Sequence, residues 1–197
     1  MLRSGITIYF VRHGETDWNR DRRYQGQKDI LLNDTGRQQA ARNGRVLAVA
    51  LGERTAAIDY VASPLQRAQE TMQILRGELG LAPQAYRTDD RLKEVHYGYW
   101  EGQLQDDLLS TDPEGCAARD RDAWGWQPRG GESYAAMSRR VARWLEEVAG
   151  DTVVVAHGGV SRALRGLLLD LPKSQVPCLP VPQDKVLVFA GGSVSWL

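Results

Sequence analysis

Two of the three histidines in this 197-residue chain sit in one kind of place. His13 follows the apolar run 6–11 through Arg12 and is followed by Gly14; His157 follows the run 152–156 and is followed by Gly158 and Gly159. A third apolar run, 58–62, leads into Ser63-Pro64-Leu65-Gln66-Arg67. An imidazole can attack phosphorus, and a guanidinium fork matches the oxygens of a phosphate. Two imidazoles with Arg12 and Arg67 therefore suit a phosphomonoester dianion, the cations neutralising the charge that spreads over its oxygens.

A phosphoryl acceptor also needs a proton source for the departing alcohol. Glu94, in Arg91-Leu92-Lys93-Glu94-Val95-His96-Tyr97-Gly98, stands where it could face such a pocket. That task needs a carboxyl protonated near neutral pH, so burial or the substrate phosphate is expected to raise its pKa. Each residue alone also has a plain reading. A lone histidine can be a core residue bonded to a carbonyl, Arg67 a solvated helix residue, and Glu94 a surface partner of Lys93 or Arg91. The shared strand-end context makes the set stronger than its members. Glycine after each histidine is expected to let a ligand approach the backbone.

The elements that must position these residues follow from the hydrophobic pattern. The three apolar runs read as strands buried on both faces. Helical stretches follow at 33–51, at 65–79 with Ser63 as N-cap and Pro64 first in the helix, and at 160–171, stopped by Pro172. A further helix is expected at 133–148, and an edge hairpin at 186–190 and 193–197 around Gly191-Gly192. Strands alternating with helices predict an α/β three-layer sandwich, its mostly parallel sheet covered on both faces. Ligands then bind beyond the carboxyl ends of the strands, where both histidines and Arg67 fall. The chain is expected to form one domain, 1–197, with a lid-like insert at about 103–131 that is rich in acidic, Gly, Pro and Trp residues.

Composition narrows the partners. Lys plus Arg and Asp plus Glu are 25 each, so net charge is zero, which argues against duplex nucleic acid or an anionic membrane as partner. Arginine dominates the cations, 21 to 4. Cys116 and Cys178 are isolated, which fits a reduced cytoplasmic protein. No apolar run is long enough to span a bilayer. The oligomeric state stays open, a homodimer included.

Five motifs then carry a resemblance. Arg12-His13-Gly14-Glu15-Thr16-Asp17-Trp18-Asn19, Ser63-Pro64-Leu65-Gln66-Arg67-Ala68-Gln69-Glu70-Thr71, Glu94 with Gly98-Tyr99-Trp100-Glu101-Gly102, Gly130-Gly131-Glu132-Ser133 and Ala156-His157-Gly158-Gly159 occur in the order of the histidine phosphatase superfamily, which the chain resembles over nearly its whole length. The resemblance implies a phosphoglycerate mutase-like fold and attack by His13. It implies phosphate oxygens held by Arg12, Arg67, His157 and Asn19, with Gln25, Gly26 and Gly158 at the same site. It also implies proton transfer by Glu94, and no metal or other cofactor. Hydrolysis of a small phosphorylated metabolite is the expected activity. The loop Arg23-Tyr24-Gln25-Gly26-Gln27-Lys28-Asp29 and the Gly98–Gly102 stretch look like the phosphatase form, whereas His96-Tyr97-Gly98 echoes the mutase form. A phosphoglycerate mutase is therefore the alternative, and a non-catalytic phospho-ligand binding module the third. In the insert, Arg119, Arg121 and Arg129 are expected to pair with Asp120 and Asp122 in a solvated loop, and Trp124 and Trp126 to pack the insert on the body.

Overall fold

The computed structural model describes residues 3–197, so residues 1 and 2 of the expected domain lie outside it. Thirteen elements follow in chain order: β1 (Ile8–Arg12), α1 (Asp17–Arg20), α2 (Asp34–Leu51), β2 (Asp59–Ala62), α3 (Gln66–Glu78), β3 (Arg87–Thr88), α4 (Leu108–Thr111), α5 (Pro113–Arg121), α6 (Tyr134–Glu147), β4 (Thr152–Ala156), α7 (Gly158–Leu168), β5 (Val186–Ala190) and β6 (Ser193–Trp196). The strands make one mixed, open sheet in the order β3-β2-β4-β1-β5-β6. β1, β2, β3 and β4 run parallel, and β5 and β6 complete one edge antiparallel. This is the expected α/β arrangement.

Side chains alternate across each strand, and the two faces bury different sets. Ile8, Phe10, Val154 and Ala156 pack with Met137, Val141, Trp144, Val160 and Leu164 of α6 and α7. Tyr9, Val11, Val153 and Val155 pack with Leu47, Leu51, Ala68, Met72 and Leu75 of α2 and α3. The central strands are therefore apolar throughout, because both of their faces are covered.

Register brings the chemistry together. Arg12 pairs with Ala156 and Ala62 with Val155, so β1, β4 and β2 end side by side. The ladder runs one residue further: His13 N donates to Ala156 O (2.9 Å) and Ser63 N to Val155 O (2.9 Å). His13, Ser63 and His157 leave the sheet at one level.

Two helix limits differ from expectation for visible reasons. α3 starts at Gln66 with Leu65 as N-cap, and Ser63 is not its cap. The Ser63 hydroxyl is bonded to His157 instead (2.7 Å), and the first turn receives Asp29, whose Oδ1 accepts from Gln66 N (2.8 Å). α7 begins at Gly158 and stops at Leu168, before Pro172. Asp170 takes a left-handed φ of 50° and Leu171 N donates to Gly166 O (3.2 Å), a Schellman closure that ends the helix without the proline.

The loop after β1 rests on the start of α2 backbone to backbone. A β-carbon on Gly36 would overlap the Glu15 carbonyl, and one on Gly14 would overlap the Gly36 carbonyl. Gly14 therefore serves helix packing and not the approach of a ligand, as its position after His13 suggested. Gly36→Ala is expected to lower stability by about 1–3 kcal/mol through overpacking. Gly77→Ala, in α3 with open space around the new methyl, is expected to raise it by about 0.5–1 kcal/mol. Urea midpoints of the two variants check both signs.

Candidate active site

His13 is buried at the end of β1. Its Nδ1 lies 2.7 Å from Gly14 O, which can only accept, so Nδ1 carries the proton and Nε2 holds the free lone pair. Arg67 Nε donates to that lone pair at 3.3 Å. Burial first, and then Arg67 and Arg12, hold the His13 pKa well below the usual histidine range. The ring is a neutral nucleophile with a defined attacking atom.

Arg67 is the second residue of α3 and has no solvent exposure. Beyond His13, it donates to Lys28 O (2.7 Å) and Gly26 O (2.7 Å). Burial lowers its pKa to about 10, while Glu94 and Asp29 pull the other way. Arg12, also brought down to about 10 by burial, donates one Nη to Val181 O (2.7 Å) and keeps a buried Nε without a partner.

His157 stands behind His13, ring centroids 5.2 Å apart, with Nε2 on Ser63 Oγ and a buried, unpartnered Nδ1. Burial, then Arg67 and His13, keep its pKa well below the ordinary value. It caps α7 with extended backbone. One free amide of the first turn of that helix points at Glu94: Gly159 N donates to Glu94 Oε1 (3.0 Å) and Oε2 (3.1 Å). Val95 N adds a bond to Oε1 (2.9 Å). A side chain on Gly159 would overlap that carboxylate. The helix N-terminus thus fixes the position of Glu94.

A cavity of about 180 Å³ opens over these groups, lined by Arg12, His13, Asn19, Gln25, Gly26, Arg67, Glu94 and Gly158 of the expected set. Asn19 Oδ1 is occupied by Thr16 N (3.2 Å) and Gln183 Nε2 (3.1 Å), leaving its amide nitrogen as the group able to donate to an anion. Gly26, at a φ of 51°, uses its carbonyl to hold Arg67, and a β-carbon there would strike Glu101. Gly158 is the glycine that opens the pocket: its absent side chain would stand 3.7 Å from Arg12 Nε and 3.8 Å from Glu94 Oε2.

The cavity also takes in Arg23, Tyr24, Tyr97, Gln105 and Arg162, which the residue-by-residue reading left aside. Arg162 had a signal, because it lies one turn past Gly158 on the same helix and helical side chains lean back toward the N-terminus. Tyr97 and Gln105 stand in irregular segments that have no periodicity to read. Gln105 represents the insert at the pocket. Trp126 packs at a tilt against Trp100 (ring centroids 4.4 Å) and Asp112 accepts from Trp100 Nε1 (2.7 Å), so the insert is pinned to the body, while Trp124 packs on the core. Among the described residues no ion pair joins Arg119, Arg121 or Arg129 to Asp120 or Asp122; Arg129 lies over the Tyr99 ring (5.3 Å). His96 accepts from Gly98 N (2.9 Å) and lies outside the pocket lining.

Comparison with known proteins agrees with this geometry. Residues 8–194 match the model of the histidine phosphatase superfamily (branch 1). The chain is 37% identical over 185 residues to a glucosyl-3-phosphoglycerate phosphatase of Mycobacterium tuberculosis, covering 87% of this chain and 79% of that protein. It is 34% identical over 163 residues to a metal-independent phosphoserine phosphatase of Arabidopsis thaliana, covering 80% and 66%. A solved mycobacterial glucosyl-3-phosphoglycerate phosphatase in complex with VO3 superposes with a TM-score of 0.79 at 33% identity, over 98% of this chain and 96% of that one. Among the described residues no helix is long and apolar enough to cross a membrane. The chain belongs to the histidine phosphatase superfamily, branch 1, as a phosphomonoesterase.

Proposed function

We propose that the protein hydrolyses a small phosphorylated metabolite through a phosphohistidine on His13, with no metal taking part. The observation that carries this reading is the tautomer: Nδ1–H is committed to Gly14 O, and Nε2 is a neutral lone pair facing Arg67 at the floor of the cavity. An incoming phosphoryl group takes over the Arg67 Nε proton, which now points at His13 Nε2. Arg12 Nε and the Asn19 amide supply further donors, whereas His157, expected at the same site, is fully buried behind His13 and does not line the cavity. Arg12 and Arg67 thus provide in fixed form the charge that a divalent ion supplies in other phosphoryl-transfer sites.

Glu94 handles the proton. Its Oε1 is bonded to Val95 N and Gly159 N, while Oε2 has only the shared, longer bond to Gly159 N and stands nearest Gly158. Oε2 is therefore the oxygen that protonates the leaving alcohol and afterwards deprotonates the water that attacks the phosphohistidine. The first half-reaction breaks the ester P–O bond and forms P–N; the second returns His13 and releases inorganic phosphate. A cytoplasmic setting belongs to this reading and is supported by the two free cysteines.

Para-nitrophenyl phosphate assayed in excess EDTA tests the reading. Turnover is expected in the wild type and its loss in His13→Ala. Glu94→Gln is expected to slow alkyl phosphates by about 10²–10⁴-fold and the nitrophenyl ester far less, since nitrophenolate leaves without a proton. Wild-type inactivity there together with interconversion of phosphoglycerates moves the assignment to a mutase. The buried neutral imidazoles also set a pH dependence of stability. Below about pH 6.5 the unfolded chain protonates both rings and the folded chain does not, so the unfolded state binds more protons and stability is lost as the pH is lowered. The urea midpoint is expected to drop between pH 7 and 5.5, reporting a stability loss of at most about 1.4 kcal/mol per pH unit for each ring. A flat midpoint contradicts the neutral assignment.

A further inference from the structure

A second cavity, of about 430 Å³, opens at the other end of the sheet. Asp59 and Arg87, the first residues of β2 and β3, line it, whereas the catalytic groups lie beyond the last residues of β1, β2 and β4. It shares no residue with the catalytic pocket.

Arg76, near the end of α3, is a buried cation short of partners there. It is 5% exposed, and among the described residues its one hydrogen bond is from Nε to Ala82 O (2.9 Å). No carboxylate of those residues lies within ion-pair distance of it. Asp59, the acid on the cavity wall, is paired with Arg87 instead (2.7 Å). The guanidinium lies over the Tyr60 ring, 4.4 Å from the centroid, a contact that engages its face and leaves its edge free. Both Nη groups therefore keep their protons to donate, and neither is sealed from the cavity. A charge taken out of water without a counter-ion is unfavourable, and an incoming anion offsets that.

The remaining wall is apolar. Ile58, Leu81 and the Tyr86 ring form it, and Tyr86 is held to α3 by Gln73, whose Nε2 donates to its hydroxyl (3.2 Å). A cavity of this size, mostly apolar with one fixed polar group, has the make-up of a small-molecule site.

We infer that this cavity binds a small monocarboxylate with a flat apolar body, of the aryl-alkanoic acid class. The carboxylate meets the free edge of Arg76 in the plane of the guanidinium, and the ring lies against Leu81 and Tyr86. One negative charge fits, because Arg76 is the cation of the cavity that has no acid partner. A dianion would bring its second charge toward Asp59.

The test titrates the full-length enzyme with phenylacetate, 3-phenylpropionate and indole-3-acetate, with phenylacetamide as the neutral control, and reads amide NMR shifts separately around the two cavities. At least one acid is expected to saturate the amides near Tyr60, Arg76 and Tyr86 with a Kd of about 1 mM or tighter. Phenylacetamide is expected to bind there about 10- to 100-fold more weakly than phenylacetate, and Arg76→Met to weaken the acids by the same factor, the range of a charge-assisted pair. Ala85→Trp fills the cavity from its exposed rim without altering Arg76, and is expected to abolish binding while the rest of the spectrum stays in place. That variant decides the matter even where Arg76→Met does not fold. Equal binding of acid and amide, shifts confined to the catalytic pocket, or no saturation by any of the three acids would each overturn the inference. So would a dimer that protects these amides and is broken by Ala85→Trp, since a second copy of the chain would then be the occupant.

Discussion

The structure depends on keeping one guanidinium entirely out of water. Arg67 has no exposed surface, and stripping an ion of its hydration costs several kcal/mol even after the protein relaxes. That cost is offset by the carbonyls of Gly26 and Lys28, by His13 Nε2 and by the nearby Glu94 carboxylate. Each of these partners is thereby fixed. The 23–29 loop becomes a wall of the cavity because its carbonyls must turn inward to meet Arg67. His13 adopts the tautomer with Nε2 unprotonated because Arg67 can only donate. A buried cation that needs acceptors thus organises a site made to receive an anion.

The rest of the site keeps its charges apart by similar means. Glu94 is held at the N-terminus of α7 by the Gly159 amide, so it stays close to Arg12 and Arg162 without being drawn onto either. His157 gives the second imidazole layer, neutral through burial and tied to Ser63 across the β2–β4 boundary. The parallel register of β1, β4 and β2 puts His13, His157 and Ser63 at one level, so residues up to 144 positions apart in sequence meet without any long connection across the pocket.

Much of this was legible in the residues, and the reasons are specific. The 6–11, 58–62 and 152–156 runs are apolar on both faces because helices cover both sides of the sheet, and that pattern locates the strands to within two residues at their starts. His13, Arg67 and His157 converge at the strand ends, and Glu94 joins them from the irregular segment after β3. Local chemistry was less readable. Ser63-Pro64 has the composition of a helix start, yet its hydroxyl is claimed by a histidine 94 residues away. Gly14 looks like a ligand-clearing glycine and is a packing one, since its neighbour Gly36 lies in another element. Alternating charges at 119–122 suggest mutual pairing, but the pairs do not form. In each case a tertiary partner displaced a local rule, and no window on the sequence contains that partner.

The measurement that bears most directly on the account is to quench the enzyme during turnover of a phosphomonoester and locate any protein-bound phosphoryl group by mass spectrometry and phosphorus NMR. The account predicts an acid-labile phosphoryl group on His13 at Nε2, the nitrogen left unprotonated by the Nδ1–Gly14 bond. Label on Nδ1, on His157, or on no residue during active turnover would contradict it.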